Sequence, residues 1–277
     1  MLASAPAESE VFAGNRSIGG ISLSVVADAG GSRRQRVREE GALRVRFPNA
    51  ASRDVLEAVT VNTAGGMTGG DRFDIDIALG AGAKLMMTTA AAEKIYRSLG
   101  PDTEINVRLK VGAGGSLAWL PQETILFDQV RLRRSIEVDL APDASLLLAE
   151  GVVFGRSAMG EIVSQGRFFD RWRVHRGGRL IFAESLRLED AIAERLARRA
   201  VAGGAVAIAS VLTIPGDEAA AAAVAARDDF AGEVGVSAWN GLALARLVAP
   251  DGAALHRDLI AVLTAFGNMP LPRLWLN

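Results

Sequence analysis

Alternation of apolar and polar residues recurs through the middle of the chain with a period of about thirty residues. Strand-like segments begin at Ile75, Ile105 and Ile136, and each leads through a turn rich in Gly, Pro or Ala into a more uniformly apolar segment. Each unit can bury only one face, so neighbouring units have to cover one another. The pattern predicts a mainly β, layered body of the β-solenoid or β-helix type, with a sandwich-like arrangement as the alternative.

Other segments predict one more hairpin and two or three short helices. Residues 171–182 have the pattern of a hairpin that turns at Gly177 and Gly178. Residues 217–226 are almost entirely alanine and begin with Asp217, a good helix cap. Apolar residues at helical spacing predict a C-terminal helix over residues 254–266.

A third short helix fits residues 187–199, although their many Arg and Glu residues fit an exposed segment equally well. We predict that residues 1–277 form a single domain in which residues 1–15 are flexible.

Composition narrows the class of protein. In 277 residues, 49% hydrophobic content and a mean hydropathy of +0.21 are sufficient for a large core. The 31 Lys and Arg nearly balance the 32 Asp and Glu, so bulk charge favours neither nucleic acid nor an acidic membrane surface. Basic runs at residues 33–38, 131–134 and 195–199 are predicted to be solvated faces or rims of a protein interface.

Cysteine is absent, which excludes disulfides, thiolate catalysis and Cys-based zinc or iron–sulfur sites. The first residues lack the features of a signal peptide, and no apolar run reaches membrane-spanning length, so we expect a cytoplasmic protein. The only histidines, His175 and His256, do not lie in a ligand-spaced cluster. We expect no stable metal site, and a surface or structural role for both histidines.

Residues 62–71 carry four glycines, Gly65, Gly66, Gly69 and Gly70, between two strand-like segments. A phosphate-binding P-loop requires Lys and Ser or Thr after the last glycine, whereas Asp71 and Arg72 follow here. The dinucleotide-binding pattern fails as well, because a strand rather than a helix follows. The remaining interpretation is a tight turn with positive φ angles that places Asp71.

Four stretches, taken in order, resemble the signature blocks of the UreD (also called UreH) family of urease accessory proteins. They are residues 62–71 (Asn62-Thr-Ala-Gly-Gly-Met-Thr-Gly-Gly-Asp71), 120–128 (Leu-Pro-Gln-Glu-Thr-Ile-Leu-Phe-Asp) with Arg131 to Arg134, 155–161 (Gly-Arg-Ser-Ala-Met-Gly-Glu) and 272–275 (Pro-Arg-Leu-Trp). The resemblance implies a solenoid-like β body without enzymatic activity. It also implies partners: UreF, the GTPase UreG and apo-urease, into which nickel is inserted, with the hetero-oligomer bridged through UreF.

The resemblance also implies an internal route for a transient nickel ion. The candidate carboxylates are Asp71, Glu123, Asp128, Glu150 and Glu161. Oxygen ligands alone hold nickel weakly, which suits transit rather than a tightly bound cofactor. Asn62, the four loop glycines and Arg156 are assigned to a structural or partner loop, and Pro272, Arg273 and Trp275 to a partner-binding segment.

Each carboxylate has a structural interpretation as well. Asp74 and Asp76 alternate with apolar residues and are expected on a solvated strand face. Glu123 and Asp128 flank an apolar run, where a charge requires a partner. The nearby Arg131, Arg133, Arg134 and Arg156 are the candidates, so a structural salt bridge and a nickel route both remain open.

Two alternative functions remain. A pure scaffold would clamp urease and UreF while nickel travels outside this chain. A β-helix carbohydrate enzyme would use Glu123 and Asp128 as paired carboxylates. Their spacing and the 5% aromatic content disfavour the enzyme, since sugar sites favour exposed aromatic platforms.

Overall fold

The computed structural model describes residues 16–48, 54–98, 100–156, 159–267 and 269–276. Strands make up 54% of the structure and form a β-solenoid-like arrangement of about four turns, which confirms the predicted fold class. Residues 1–15, for which flexibility was predicted, lie outside the described residues.

Seventeen strands are described, and in chain order they are β1 (Ile18–Asp28), β2 (Gly31–Glu40), β3 (Leu43–Arg46), β4 (Leu56–Asn62), β5 (Arg72–Leu79), β6 (Lys84–Thr89), β7 (Glu93–Ile95), β8 (Thr103–Val111), β9 (Ser116–Leu120), β10 (Thr124–Leu126), β11 (Val130–Leu140), β12 (Ser145–Phe154), β13 (Gln165–Arg176), β14 (Arg179–Ala191), β15 (Ala207–Ile214), β16 (Glu233–Trp239) and β17 (Leu242–Ala249). The helices are α1 (Ile192–Ala197), α2 (Glu218–Ala225) and α3 (Gly252–Phe266), and a 3-10 helix covers Arg273–Trp275.

Successive strands of the repeat alternate between two sheets. The first sheet has the order β14-β13-β11-β8-β5-β1-β2, and the second has the order β16-β17-β15-β12-β9-β6-β4-β3. Neighbouring coils pair in parallel, as in β5 with β8 and β6 with β9. Ile75 stands opposite Val107, which is paired in turn with Ile136, so the period in the sequence is the length of one coil.

A narrow third strip joins the two sheets on one side. It consists of Met67, β7, β10 and residues 152–154 of β12, all paired in parallel. Met67, Ile95, Leu126 and Phe154 form one buried column along it. Two of the four sequence stretches that carry the family resemblance contribute to this strip, through Met67 and through β10. A third, residues 155–161, begins directly after the strip residues of β12.

Three layers make up the molecule. One apolar cluster fills the space between the two sheets, and a second lies between the outer face of the second sheet and the helices α2 and α3. The outer face of the first sheet is polar, because every second residue of its strands points to solvent. Asp74 and Asp76 lie there in ion pairs with Arg72 and Arg108, as expected for a solvated face.

The helix predictions are confirmed in part. Asp217 caps α2 by accepting hydrogen bonds from the backbone N–H groups of Ala219 and Ala220. The C-terminal helix begins two residues earlier than predicted, because Asp251 caps it. The helix predicted over residues 187–199 is wrong in its first part, since residues 187–191 belong to β14. No helix among the described residues is long and apolar enough to cross a membrane.

Candidate functional site

The glycine-rich loop fastens Asp71 to the backbone. Asp71 is buried, and its two carboxylate oxygens accept the N–H groups of Ser17 at 2.7 Å and Thr68 at 2.8 Å. Gly65, Gly66 and Gly70 have φ angles of 76°, 152° and 88°, which confirms the predicted turn. Asp71 thus ties the loop to Ser17, the residue that precedes β1. This contact supports the structural interpretation of Asp71.

Two of these glycines are required by close contacts. A Cβ at Gly69 would overlap the Ser98 hydroxyl, and a Cβ at Gly66 would overlap the Tyr96 ring. Asn62 closes the loop from its other end, because its amide donates to Glu93 at 2.9 Å while its oxygen accepts the Ala64 N–H. The loop is therefore a packed part of the third strip.

Aromatic and charged side chains cover the outside of the strip. Tyr96 packs edge-on against Phe127 with 4.8 Å between ring centroids, and the Arg156 guanidinium lies 4.3 Å from the Phe127 centroid. Arg156 also donates to Glu161 at 2.7 Å. Glu161 consequently has an arginine partner on its own loop, while Ser157 and Ala158 of that loop lie outside the described residues.

The Asp128 carboxylate binds donor groups of the next loop and not an arginine side chain. Its Oδ1 accepts the backbone N–H groups of Ser164 and Gln165 and the Ser164 hydroxyl, all within 3.0 Å. Burial opposes the charge on Asp128, but these donors outweigh it and hold its pKa below the usual value. The predicted arginine partner of Asp128 is therefore wrong, because backbone amides supply the compensation.

Glu123 has an unexpected partner in His256 of α3. The Glu123 Oε1 and His256 Nδ1 atoms are 2.7 Å apart, and the His256 ring stacks on Trp275 with centroids 5.2 Å apart. The predicted arginine partner of Glu123 is wrong, and His256 lies in this half-buried contact rather than free on the surface. Glu123 and Asp128 hold different segments, so they do not form the catalytic pair of the carbohydrate-enzyme alternative.

The C-terminal stretch packs onto this chain. Trp275 is 1% exposed, and its indole N–H donates to the Leu120 carbonyl at 3.0 Å. Gln122 donates to the Leu274 carbonyl at 3.1 Å. Pro272 is also buried, so of the three residues assigned to a partner-binding segment only Arg273 is exposed. The fourth stretch that carries the resemblance therefore packs against the second.

A buried ion network lies between the two sheets, and Arg134 is its centre. Arg134 donates to Glu150 and, through two nitrogens, to Asp170 at 3.1 and 2.6 Å. Trp119 donates to Glu150 at 2.9 Å, and Trp172 to Asp170 at 3.3 Å. Arg134 was predicted as a possible salt-bridge partner of Glu123 or Asp128, and its basic run was expected to be solvated. The structure instead buries Arg134 and pairs it with Glu150 and Asp170.

A cavity of about 170 Å³ adjoins this network. Glu150, Ser210 and Arg246 stand side by side on β12, β15 and β17, so a polar row runs from the network to the strand next to edge strand β16. There Arg246 donates across the gap to Glu184 of β14 at 3.0 Å. The cavity is thus bordered by the carboxylates of Glu150, Asp170 and Glu184 among mostly apolar side chains.

Two carboxylates, the buried Glu150 and the half-buried Glu93, have pKa values raised towards neutral pH. Burial raises the pKa of Glu150 to about 6, with Arg134 offsetting part of the effect. Burial likewise raises the pKa of Glu93 to about 7, against the hydrogen bond from Asn62. Glu93 was missed in the sequence because no motif contains it. Its position one residue after a tight turn and next to the glycine loop becomes visible only in the fold.

Within the described parts of the chain, no three His, Cys, Asp or Glu side chains lie close enough together to hold a metal ion. The architecture and this network define the class: a layered, solenoid-like β protein with a buried ion network beside a cavity between its sheets.

Comparison with known proteins identifies the family. The family model described as "UreD urease accessory protein" matches residues 17–276. "Urease accessory protein UreD" of Rhodopseudomonas palustris (strain HaA2) is 55% identical over 272 residues, covering 98% of this chain and 97% of that protein. The protein of the same name from Bradyrhizobium diazoefficiens is 54% identical over 270 residues, covering 97% of each. The chain belongs to the UreD family of urease accessory proteins, which support urease maturation.

Proposed function

We propose that this chain is a non-enzymatic maturation factor that acts with UreF and the GTPase UreG to deliver nickel into apo-urease in the cytoplasm. The observation that carries the proposal is the cavity between the sheets that Glu150 and Asp170 border, in a chain of this family. Nickel is the cargo, and UreF bridges the chain to the other partners.

Glu150 is the route candidate that fits this role best. It borders the cavity, and both of its oxygens can accept further hydrogen bonds from a hydrated cation, since each has one donor in place. Asp170, which the sequence analysis did not single out, faces the same cavity. Two carboxylates with one arginine leave a net negative charge, which attracts a cation, and oxygen ligands release nickel readily.

The scaffold remains the second candidate, because a specific observation favours it. Asp71, Asp128 and Glu161 each hold a loop, and Glu123 holds α3 through His256. Four of the five route candidates thus stabilise the surfaces that a partner would contact. In that case Arg273, which is exposed beside the packed Trp275, is the residue of the C-terminal segment available to a partner.

The substitution Glu150→Gln distinguishes the nickel route from the scaffold, because it preserves the size of the side chain while removing its charge. For a route, we expect UreF and UreG to co-purify normally while the nickel content and activity of the matured urease fall several-fold. Glu137→Gln is the matched control, since Glu137 pairs with Arg171 on the solvated outer face. Normal nickel content with Glu150→Gln in an intact complex would leave the scaffold as the function.

A further inference from the structure

A cluster of arginines surrounds a cleft on the outer face of the first sheet, away from the internal cavity. We call it the arginine cleft; its volume is about 270 Å³. It consists of Arg133, Arg167, Phe169, Arg187, Asp102 and Glu189, with Arg131 bound to Asp102 at its border.

The strand register places like charges directly side by side. Arg131 of β11 stands opposite Arg167 of β13, and Arg133, Phe169 and Arg187 form the next row across three strands. Like charges directly opposite one another destabilise a sheet. The Arg131–Arg167 pair is therefore unfavourable by itself, and the sheet compensates it with Asp102 beside Arg131 and Glu189 beside Arg167.

Positive charge exceeds negative charge in the arginine cleft. Asp102 lies 2.9 Å from Arg131 but 3.8 Å from both Arg133 and Arg167, beyond hydrogen-bond distance. The four arginines outnumber the two carboxylates by two. Adding Glu104, the neighbour of Arg133 on β8, still leaves an excess of one.

Two further observations support the excess of positive charge in the arginine cleft. The side chains of Arg133 and Arg187 are 57% and 66% exposed, so their guanidinium groups are accessible. Arg187, together with Arg167 and Arg195 of the neighbouring helix α1, lowers the pKa of Glu189. Elsewhere on the same face Arg108 pairs with Asp76 and Arg171 pairs with Glu137.

The width of the arginine cleft indicates the kind of ligand. Its arginines stand on three adjacent strands spaced about 4.8 Å apart, so they extend over roughly 10 Å. One inorganic phosphate cannot contact all of them, whereas several carboxylates along a peptide can. The Phe169 ring, between Arg133 and Arg187 in the second row, offers an apolar contact for the aliphatic parts of Glu side chains.

We propose that the arginine cleft is a docking surface for an acidic segment of a partner protein, held by its Asp and Glu side chains. Guanidinium groups pair with carboxylates in a bidentate geometry, which fixes orientation as well as affinity. The cleft is separate from the proposed nickel route, so docking would bring the partner to the outer face of the first sheet.

The test uses fluorescence anisotropy of a labelled octaglutamate peptide added to the full-length chain. We expect binding that weakens at least about tenfold between about 25 and about 250 mM salt, because the contacts are exposed charges. Arg133→Glu/Arg167→Glu should weaken binding by at least about tenfold at low salt. Neither urease nor nickel enters the measurement, so its failure is distinct from failure of the proposed function.

Arg108→Glu is the matched control, because it reverses an arginine of the same face outside the cleft and should leave peptide binding unchanged. Arg187→Glu is the second variant, chosen because this side chain is 66% exposed and does not support the core. Circular dichroism accompanies each variant. Three results would overturn the proposal: no binding by the natural chain at low salt, equal loss with Arg108→Glu, or binding of inorganic phosphate but not of the peptide.

Discussion

Arg134 is the residue on which the space between the sheets depends. Replacing it by Met leaves Glu150 and Asp170 buried without their common partner, so we expect a loss of about 3–5 kcal/mol in the free energy of unfolding at pH 8. The loss should be smaller at pH 5, where protonation of a carboxylate relieves the repulsion. Urea denaturation at the two pH values measures both.

The control for this prediction is Arg108→Met, which removes an exposed ion pair with Asp76. Exposed pairs contribute no more than about 1 kcal/mol, and we expect little dependence on pH. If both variants behaved alike, the buried network would not be a source of stability.

Glu93 should make the stability depend on pH. Its pKa is about 7 in the folded chain and 4.5 when unperturbed, so the folded state binds the proton more tightly. The stability that this contributes is fully present below pH 4.5 and is lost as the pH rises through 7. Glu93→Gln keeps the hydrogen bond from Asn62 but has no charge to bury.

We therefore expect the stability of Glu93→Gln to rise by about 3 kcal/mol relative to the natural chain between pH 4.5 and pH 8. Thermal unfolding across this range is the measurement. If the stabilities of the two proteins changed with pH in parallel, the raised pKa of Glu93 would be contradicted.

The C-terminal 3-10 helix Arg273–Trp275 acts as an anchor for helix α3. Trp275→Ala removes a fully buried ring that packs on His256 and binds the Leu120 carbonyl, so we expect a loss of about 3–5 kcal/mol. Leu276→Ala, at a side chain that is 63% exposed, should change stability by no more than about 0.5 kcal/mol. Thermal melts of both proteins make the comparison.

Co-purification with UreF adds a second readout for the same segment. Arg273→Ala should preserve folding, so a loss of UreF with this variant alone would mark a partner contact. A loss of UreF with Trp275→Ala alone would reflect damage to the fold.

At the scale of elements, the sequence predicted what local periodicity encodes. The repeat from Ile75 to Ile136, the hairpin that turns at Gly177 and the cap at Asp217 all depend on neighbouring residues and are confirmed. The extent of β14 escaped prediction, because its charged residues 187–191 form a strand only through pairing with β13.

The partners of buried charges could not be predicted for the same reason. Glu123 meets His256 across 133 positions of sequence, and Arg134 meets Asp170 across 36. Such pairs are fixed by how coils and helices pack, whereas closeness along the sequence points only to nearby arginines. The glycine loop was predictable because its requirement is local backbone geometry.

At the scale of the molecule, one apolar cluster joins both sheets from Ile21 to Leu244. Solenoids can unfold coil by coil when each repeat contacts only its neighbours. Here the shared core and the covering helices couple the coils, so we expect a single calorimetric transition, in keeping with the predicted single domain. Two resolved transitions would show that part of the chain unfolds independently.

The buried column of the third strip also constrains how relatives of this chain can diverge. Four residues occupy adjacent rungs of the column, and each is paired directly with the next: Met67, Ile95, Leu126 and Phe154. A larger side chain on one rung leaves less room for the next, because interiors are close-packed. Substitutions at these four positions should therefore occur in compensating pairs that keep the total side-chain volume of the column constant. This is expected although neighbouring members of the column are separated by about thirty residues in the sequence.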